Sequence, residues 1–264
     1  MSNTEREWVV ILGASSGFGA AVARSLAAQG LGICGVHLDR RSTIAAAEET
    51  KAAIEEAGAP AIFFNVNACD EVKRGQVLDA LADHCAPGRC RLLFHSLAFG
   101  SLLPLVGDQS KGSARPSHVS MTLDVMAHSL VYWTQELVWR GLLGSGGRVL
   151  AMSSAGSTRA MPGYGMVSAA KAALEAYVRQ LAVELGPRGI SANTIRAGVT
   201  DTAALRKIPG HEAMREMAQR VNPRSRLTTP QDIAGVVSLL VRPEADWING
   251  DVIGVDGGED IAAP

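Results

Sequence analysis

Tyr164 and Lys171 are the residues whose types and spacing point most directly to chemistry. They stand seven positions apart in Pro162-Gly163-Tyr164-Gly165-Met166-Val167-Ser168-Ala169-Ala170-Lys171-Ala172. An α-helix turns about 100° per residue, so seven steps stop about 20° short of two turns and both side chains leave one face. A phenol able to donate to a developing oxyanion then shares a stripe with an ammonium able to hold positive charge nearby. A spacing of four would share the face too, but one turn closer, so the separation itself carries information about the reaction.

Such a pair needs a scaffold, and the chain alternates apolar runs with helical patterns. Trp8-Val9-Val10-Ile11-Leu12 is a continuous apolar run ending in glycine, the pattern of a buried parallel strand. A helix over 17–29 follows, closed by Gly30. The alternation predicts further strands over 33–38, 61–66, 91–94, 148–153, 191–195 and 251–255. Helices are predicted over 44–57, 72–85, 120–142, 164–185 and 231–241. Seven strands with six helices imply an α/β Rossmann-type doubly wound parallel sheet, covered on both faces, in a single domain over 1–264. Two turn-rich stretches interrupt the rhythm, 100–118 and 200–226, the second with a short helix over 211–221. Both are expected at the carboxyl ends of strands, where open α/β sheets bind ligands.

Composition narrows the function. The chain has 264 residues, 47% hydrophobic and 19% charged, enough for one large core. A net charge of −1 without a long basic run argues against nucleic acid or an anionic membrane as partner. The polar start Met1-Ser2-Asn3-Thr4-Glu5-Arg6-Glu7 and the lack of a membrane-length apolar window predict a cytoplasmic protein. Cys34, Cys69, Cys85 and Cys90 show no metal-type spacing and read as reduced thiols, with Cys85 and Cys90 in a loop. No metal is expected.

Gly13-Ala14-Ser15-Ser16-Gly17-Phe18-Gly19 lies between the first strand and the first helix. Glycines there permit a tight turn, and the helix N-terminus offers unpaired N–H groups to a pyrophosphate. The end of the second strand, Val36-His37-Leu38-Asp39-Arg40-Arg41-Ser42, bears on the choice of nicotinamide cofactor. Asp39 favours NADH but lies beyond the usual acidic position, whereas Arg40 and Arg41 suit the 2′-phosphate of NADPH. NADPH is the expectation, with a solvated cluster at a helix start as the alternative.

Taken together these residues resemble the short-chain dehydrogenase/reductase family. The glycine turn matches its cofactor motif, Tyr164 and Lys171 its catalytic pair, and Asn193-Thr194-Ile195-Arg196-Ala197-Gly198 with Asp256-Gly257-Gly258 its C-terminal landmarks. Ordinary ketoreductases of that family place tyrosine four before lysine, where this chain has Val167, and an asparagine where it has Asp124. The seven-residue spacing and His95-Ser96-Leu97-Ala98-Phe99 resemble bacterial enoyl-acyl-carrier-protein reductases. The NADPH-dependent FabL type is the most similar, through 153–159, 168–176 and 181–185. Ser154 stands where the commonest enoyl reductases have a second tyrosine.

The resemblance implies hydride transfer from NADPH to the double bond of a trans-2-enoyl thioester, carried on acyl carrier protein, in fatty-acid or related acyl synthesis. Tyr164 would donate to the thioester oxygen, Lys171 would hold the nicotinamide ribose and acidify the phenol, and Ser154 is a candidate second donor. Cofactor contacts are implied for Gly13, Ser15, Ser16, Gly17, Phe18 and Gly19, and for Arg40, Arg41, Asn65 and Val66. Ser96, Leu97, Ala98, Lys171, Thr200 and Thr202 complete that set, while Phe99, Met161 and Tyr164 are implied for the substrate pocket. Met166 is read as pocket or core, His95 as a strand-end anchor, and Asp124 as either a site residue or a partner for backbone groups. A homotetramer is implied, built through the long helices and the last strand. The alternatives are a carbonyl reductase, a double-bond reductase of secondary metabolism, or a cofactor-sensing protein without turnover.

Overall fold

The computed structural model describes residues 6–108 and 112–262. The first five residues of the polar start, and Lys111 in the 100–118 stretch, lie outside the described residues. Seven strands form one parallel sheet: β1 (Trp8–Leu12), β2 (Gly32–His37), β3 (Ala61–Asn65), β4 (Cys90–His95), β5 (Leu143–Ser154), β6 (Ser191–Ala197) and β7 (Val252–Val255). Their order is β3-β2-β1-β4-β5-β6-β7. The chain therefore leaves β1 in one direction to reach β2 and β3, then returns to place β4 on the other side. That reversal opens a crevice between the carboxyl ends of β1 and β4.

The helices cover both faces, as an all-parallel sheet requires. On one face α1 (Gly17–Ala27), α2 (Ile44–Glu56) and α8 (Pro230–Leu240) bury Val22, Leu26, Ile54, Ile233 and Val237 against Val9, Ile11, Ile33 and Leu92. On the other, α3 (Glu71–Ala82), α4 (Pro116–Leu123), α5 (Ser129–Trp139) and α6 (Gly165–Leu185) bury Leu78, Leu130, Trp133, Leu174 and Val178 against Val10, Leu12 and Leu93. The short helix α7 (His211–Val221) lies in the predicted 200–226 stretch. Among the described residues no helix is long and apolar enough to cross a membrane.

Three features differ from the periodic reading. The predicted 120–142 helix is α4 and α5 joined by a π-helical turn over Asp124–His128, and β5 begins at Leu143 rather than near 148. A π-turn inserts one residue into the helical ladder, a change invisible to a 3.6-residue period. Its place is marked by a buried contact: His95 at the end of β4 bonds through Nε2 to Ser129 Oγ at 2.8 Å, and that hydroxyl donates to the Val125 carbonyl at 2.8 Å. Cys90 is in β4 rather than a loop, and both it and Cys85 are buried in the core with Trp8 and Leu81. Burial pushes the Cys85 thiol up to about 12 and raises Cys34 and Cys90 as well, so all three are thiols at neutral pH.

Candidate active site

The glycine turn follows directly from β1. Gly13 has φ +90°, and a Cβ on it would lie 2.6 Å from the Ser96 carbonyl oxygen; one on Gly19 would lie 2.0 Å from the Gly13 carbonyl. Only glycine fits this approach of strand end, helix start and the β4 loop. The α1 N-terminus carries neither a side-chain cap nor an acidic residue in its first turn, so its N–H groups and dipole remain available to an anion.

A cleft of about 1310 Å³ opens there, lined by Gly13, Ser15, Ser16, Gly17 and Phe18 on one side and Ser96, Leu97, Ala98 and Phe99 on the other. Val66, Arg40, Thr202, Met121 and Val125 extend its walls. An ungated glycine cradle, a free helix N-terminus and a crevice of this volume at the strand-order reversal fit a dinucleotide. Lys171, Tyr164, Ser154 and Met161 stand outside that lining, as do Gly19, Arg41, Asn65 and Thr200.

At the second strand's end, Asp39 accepts from His37 Nδ1 at 2.9 Å. Burial opposes its ionisation, but hydrogen bonds from Thr43, Ser15 and His37 hold its carboxyl below the usual range. Asn65 does not face the cleft; it exchanges two bonds with the Asp39 backbone, at 2.9 and 3.0 Å, and so fixes this corner. Thr200 is buried and donates to the Gly198 carbonyl at 3.0 Å. Thr202 sits against Gly17 and accepts from the Leu205 N–H at 3.2 Å, starting the turn that carries Lys207 into the cleft wall.

The last three residues of β5 organise the catalytic candidates. Lys171, 5% exposed, donates from Nζ to the Met152 carbonyl at 2.7 Å. Ser153 Oγ donates to the buried Glu175 carboxylate. Ser154 Oγ accepts from the Gly156 N–H at 3.1 Å and stands near enough to the Tyr164 phenol to pull its pKa down. Gly156 is required here too, because a Cβ would lie 2.5 Å from the Tyr164 ring. Consecutive residues of one strand thus hold Lys171 through a carbonyl and Glu175 through a side chain, with Ser154 beside Tyr164.

The electrostatics follow from burial. Desolvation brings the Lys171 ammonium down to about 8, with the Glu175 charge pulling upward. Burial pushes the Tyr164 phenol up while the Ser154 hydroxyl pulls it down, so the phenol is protonated at neutral pH and able to donate. The expected acidification by Lys171 is not what governs it; desolvation wins. His95 is wholly buried, and desolvation followed by the Lys171 charge lowers it to about 3. Because Ser129 donates elsewhere, His95 carries its proton on Nε2, which makes it a neutral anchor rather than a base. Asp124 accepts from the Tyr132 hydroxyl at 3.1 Å.

The family described as "Enoyl-(Acyl carrier protein) reductase" matches residues 13–259. The chain belongs to that family. This enoyl reductase family member is an NAD(P)H-dependent oxidoreductase. It is 34% identical to the 1-cyclohexenylcarbonyl-CoA reductase of Streptomyces collinus, over 98% of this chain and 89% of that protein. It is 33% identical to the NADH-type enoyl-[acyl-carrier-protein] reductase FabI of Nostoc sp., over 76% of each. A short-chain dehydrogenase of Burkholderia cenocepacia, solved in complex with NADP, superposes with a TM-score of 0.81 at 28% identity, over 98% of this chain and all of that one.

Two participants escaped the sequence reading. The His37–Asp39 pair had a signal in its two-residue spacing at the end of β2, short enough for the two side chains to meet. Glu175 had one as well, standing four after Lys171 on the same helical stripe. Met166, read as pocket or core, is buried core.

Proposed function

We propose that this protein transfers hydride from NADPH to the carbon–carbon double bond of a trans-2-enoyl thioester. The observation that carries this is the Tyr164 phenol, buried and protonated, seven residues before a buried Lys171 that the end of β5 holds through the Met152 carbonyl. When bound, the reduced nicotinamide supplies the hydride. Tyr164 donates to the thioester oxygen as that oxygen gathers negative charge, and a buried, pre-oriented donor is effective because it needs no reorganisation. Lys171 offers its ammonium to ribose hydroxyls and to the field around the phenol. Ser154 fixes the phenol's direction, and Phe99 and Met161 supply apolar surface for the acyl chain.

The glycine turn, Ser96 to Ala98 and Thr202 bind the cofactor. Arg40 and Asp39 both line the cleft; the NADPH assignment is supported by the Arg40 guanidinium, with the Asp39 carboxylate already engaged by His37. Arg41, exposed beside it, adds positive charge. The resemblance to the FabL type supports the same choice. The chain works as one domain in the cytoplasm, as a homotetramer through α4, α5, α6 and β7. Acyl carrier protein is the proposed carrier; the Streptomyces relative, named for a coenzyme A ester, supports coenzyme A as the second reading.

Purified protein with NADPH or NADH and crotonyl or acetoacetyl thioesters, followed at 340 nm, tests this. Oxidation of NADPH with crotonyl thioesters is expected. Turnover of acetoacetyl thioesters alone would make it a carbonyl reductase, and cofactor binding with no turnover would make it a sensor.

A further inference from the structure

We propose that Glu175 is a positioning residue that supplies the counter-charge for the buried Lys171 ammonium, with Ser153 fixing where that counter-charge stands. This deepens, and rests on, the reading of Lys171 as part of a nicotinamide-dependent active site.

The argument begins with burial. Lys171 is 5% exposed and bonded to a neutral carbonyl, that of Met152. An ammonium taken out of water without an opposite charge neutralises instead, since its desolvation exceeds what one carbonyl returns. Glu175 stands four residues on, one turn along the same stripe of α6, and is itself 8% exposed. Its carboxylate is received by the hydroxyl of Ser153, immediately after Met152 in β5. Strand and helix are therefore pinned together at neighbouring residues, once through the lysine and once through the glutamate. No other residue in this arrangement needs the Ser153 hydroxyl.

The remaining charged or titratable groups around Lys171 do not replace Glu175. His95, from β4, is neutral and anchored on Ser129 of α5. Tyr164, from the start of α6, is a phenol that burial keeps protonated. β5 contributes carbonyl and hydroxyl groups without charge. Asp124, in the π-turn, is engaged by Tyr132. The upward pull on Lys171 comes from Glu175 alone, against a larger downward effect of burial.

The experiment observes Lys171 directly. Protein labelled with ¹³C and ¹⁵N in lysine is titrated by NMR without substrate, and the Lys171 resonance is assigned by its loss in Lys171→Met. The native midpoint is expected near 8. Glu175→Gln lowers it by about one pH unit, so that at pH 8 the protonated fraction falls from about a half to about a tenth. Glu175→Asp, which keeps the charge, restores most of that shift. NADPH affinity, read by its fluorescence, falls in Glu175→Gln and falls further between pH 7 and pH 9. An anchor with a merely structural role would lower the melting temperature and leave the midpoint in place, which overturns the proposal. If Glu175→Gln does not fold, Ser153→Ala is titrated instead; an unmoved midpoint there overturns it as well. Failure with crotonyl thioesters would remove the enoyl reading and leave this titration standing, so the two are separable.

Discussion

Replacing Lys171 with methionine isolates the cost of burying its charge. The ammonium titrates near 8 instead of 10.5. At about 1.4 kcal/mol per pH unit, this places about 3 kcal/mol of destabilisation in the native protein at pH 7. The folded pKa is the lower one, so between pH 8 and 10.5 the unfolded chain binds more protons and wild-type stability rises with pH. Methionine has the volume to fill the site and nothing to titrate. It also leaves the Met152 carbonyl without its donor, a loss of about 1 kcal/mol or more. That loss sets the level of the difference at pH 7, whereas the lysine sets its slope. Urea unfolding of both proteins at intervals from pH 7 to 10.5 is the assay. The wild type is expected to gain about 3 kcal/mol on Lys171→Met across that window, since groups shared by both proteins cancel. Parallel curves would show that Lys171 titrates normally and would refute the account of its burial.

Tyr164→Phe removes the oxyanion donor while leaving the ring that packs against Gly156, so kcat with crotonyl thioester is expected to fall by about 10²–10³ with the fold retained; unchanged kcat at 340 nm refutes the role. Replacing Arg40 and Arg41 with alanine is expected to weaken NADPH about tenfold and NADH by less than about twofold, measured by fluorescence titration; equal losses refute a phosphate site. Val167→Tyr would restore the four-residue spacing to Lys171, but Val167 is buried, with its Cγ2 only 3.2 Å from where a Cβ on Gly100 would lie. The unfolding free energy from urea titration is expected to drop by about 1–3 kcal/mol, without acetoacetyl activity; a stable variant that reduces the ketone would refute this.

The glycine turn was legible because its physics is local: a buried strand, positive φ at Gly13, and a helix start that leaves N–H groups free. All seven strands were legible as short segments alternating with helices, β1 most directly, since a strand buried on both faces reads as an unbroken apolar run. The π-turn was not, because it answers to His95 on a strand distant in sequence, through Ser129. Nor was the extent of β5, whose start Leu143-Gly144-Ser145-Gly146 has the composition of a loop and becomes strand by pairing with β4 at Leu143. Beside Pro87 and Gly88, Cys90 carries no periodic signal of a strand; pairing with Leu143 places it in β4.

The sequence by itself determined that a phenol and an ammonium share a helix face two turns apart, behind a strand, a glycine turn and a helix. Helical geometry and glycine stereochemistry suffice for that, as both act over a few residues. Only the tertiary structure decided the protonation of the pair. The Tyr164 phenol is pushed up by burial rather than down by its lysine, and the lysine is brought down to about 8 beside a buried glutamate. Desolvation depends on everything packed around a group, here β4, β5 and the α4 to α6 layer, and no spacing along one chain segment encodes it.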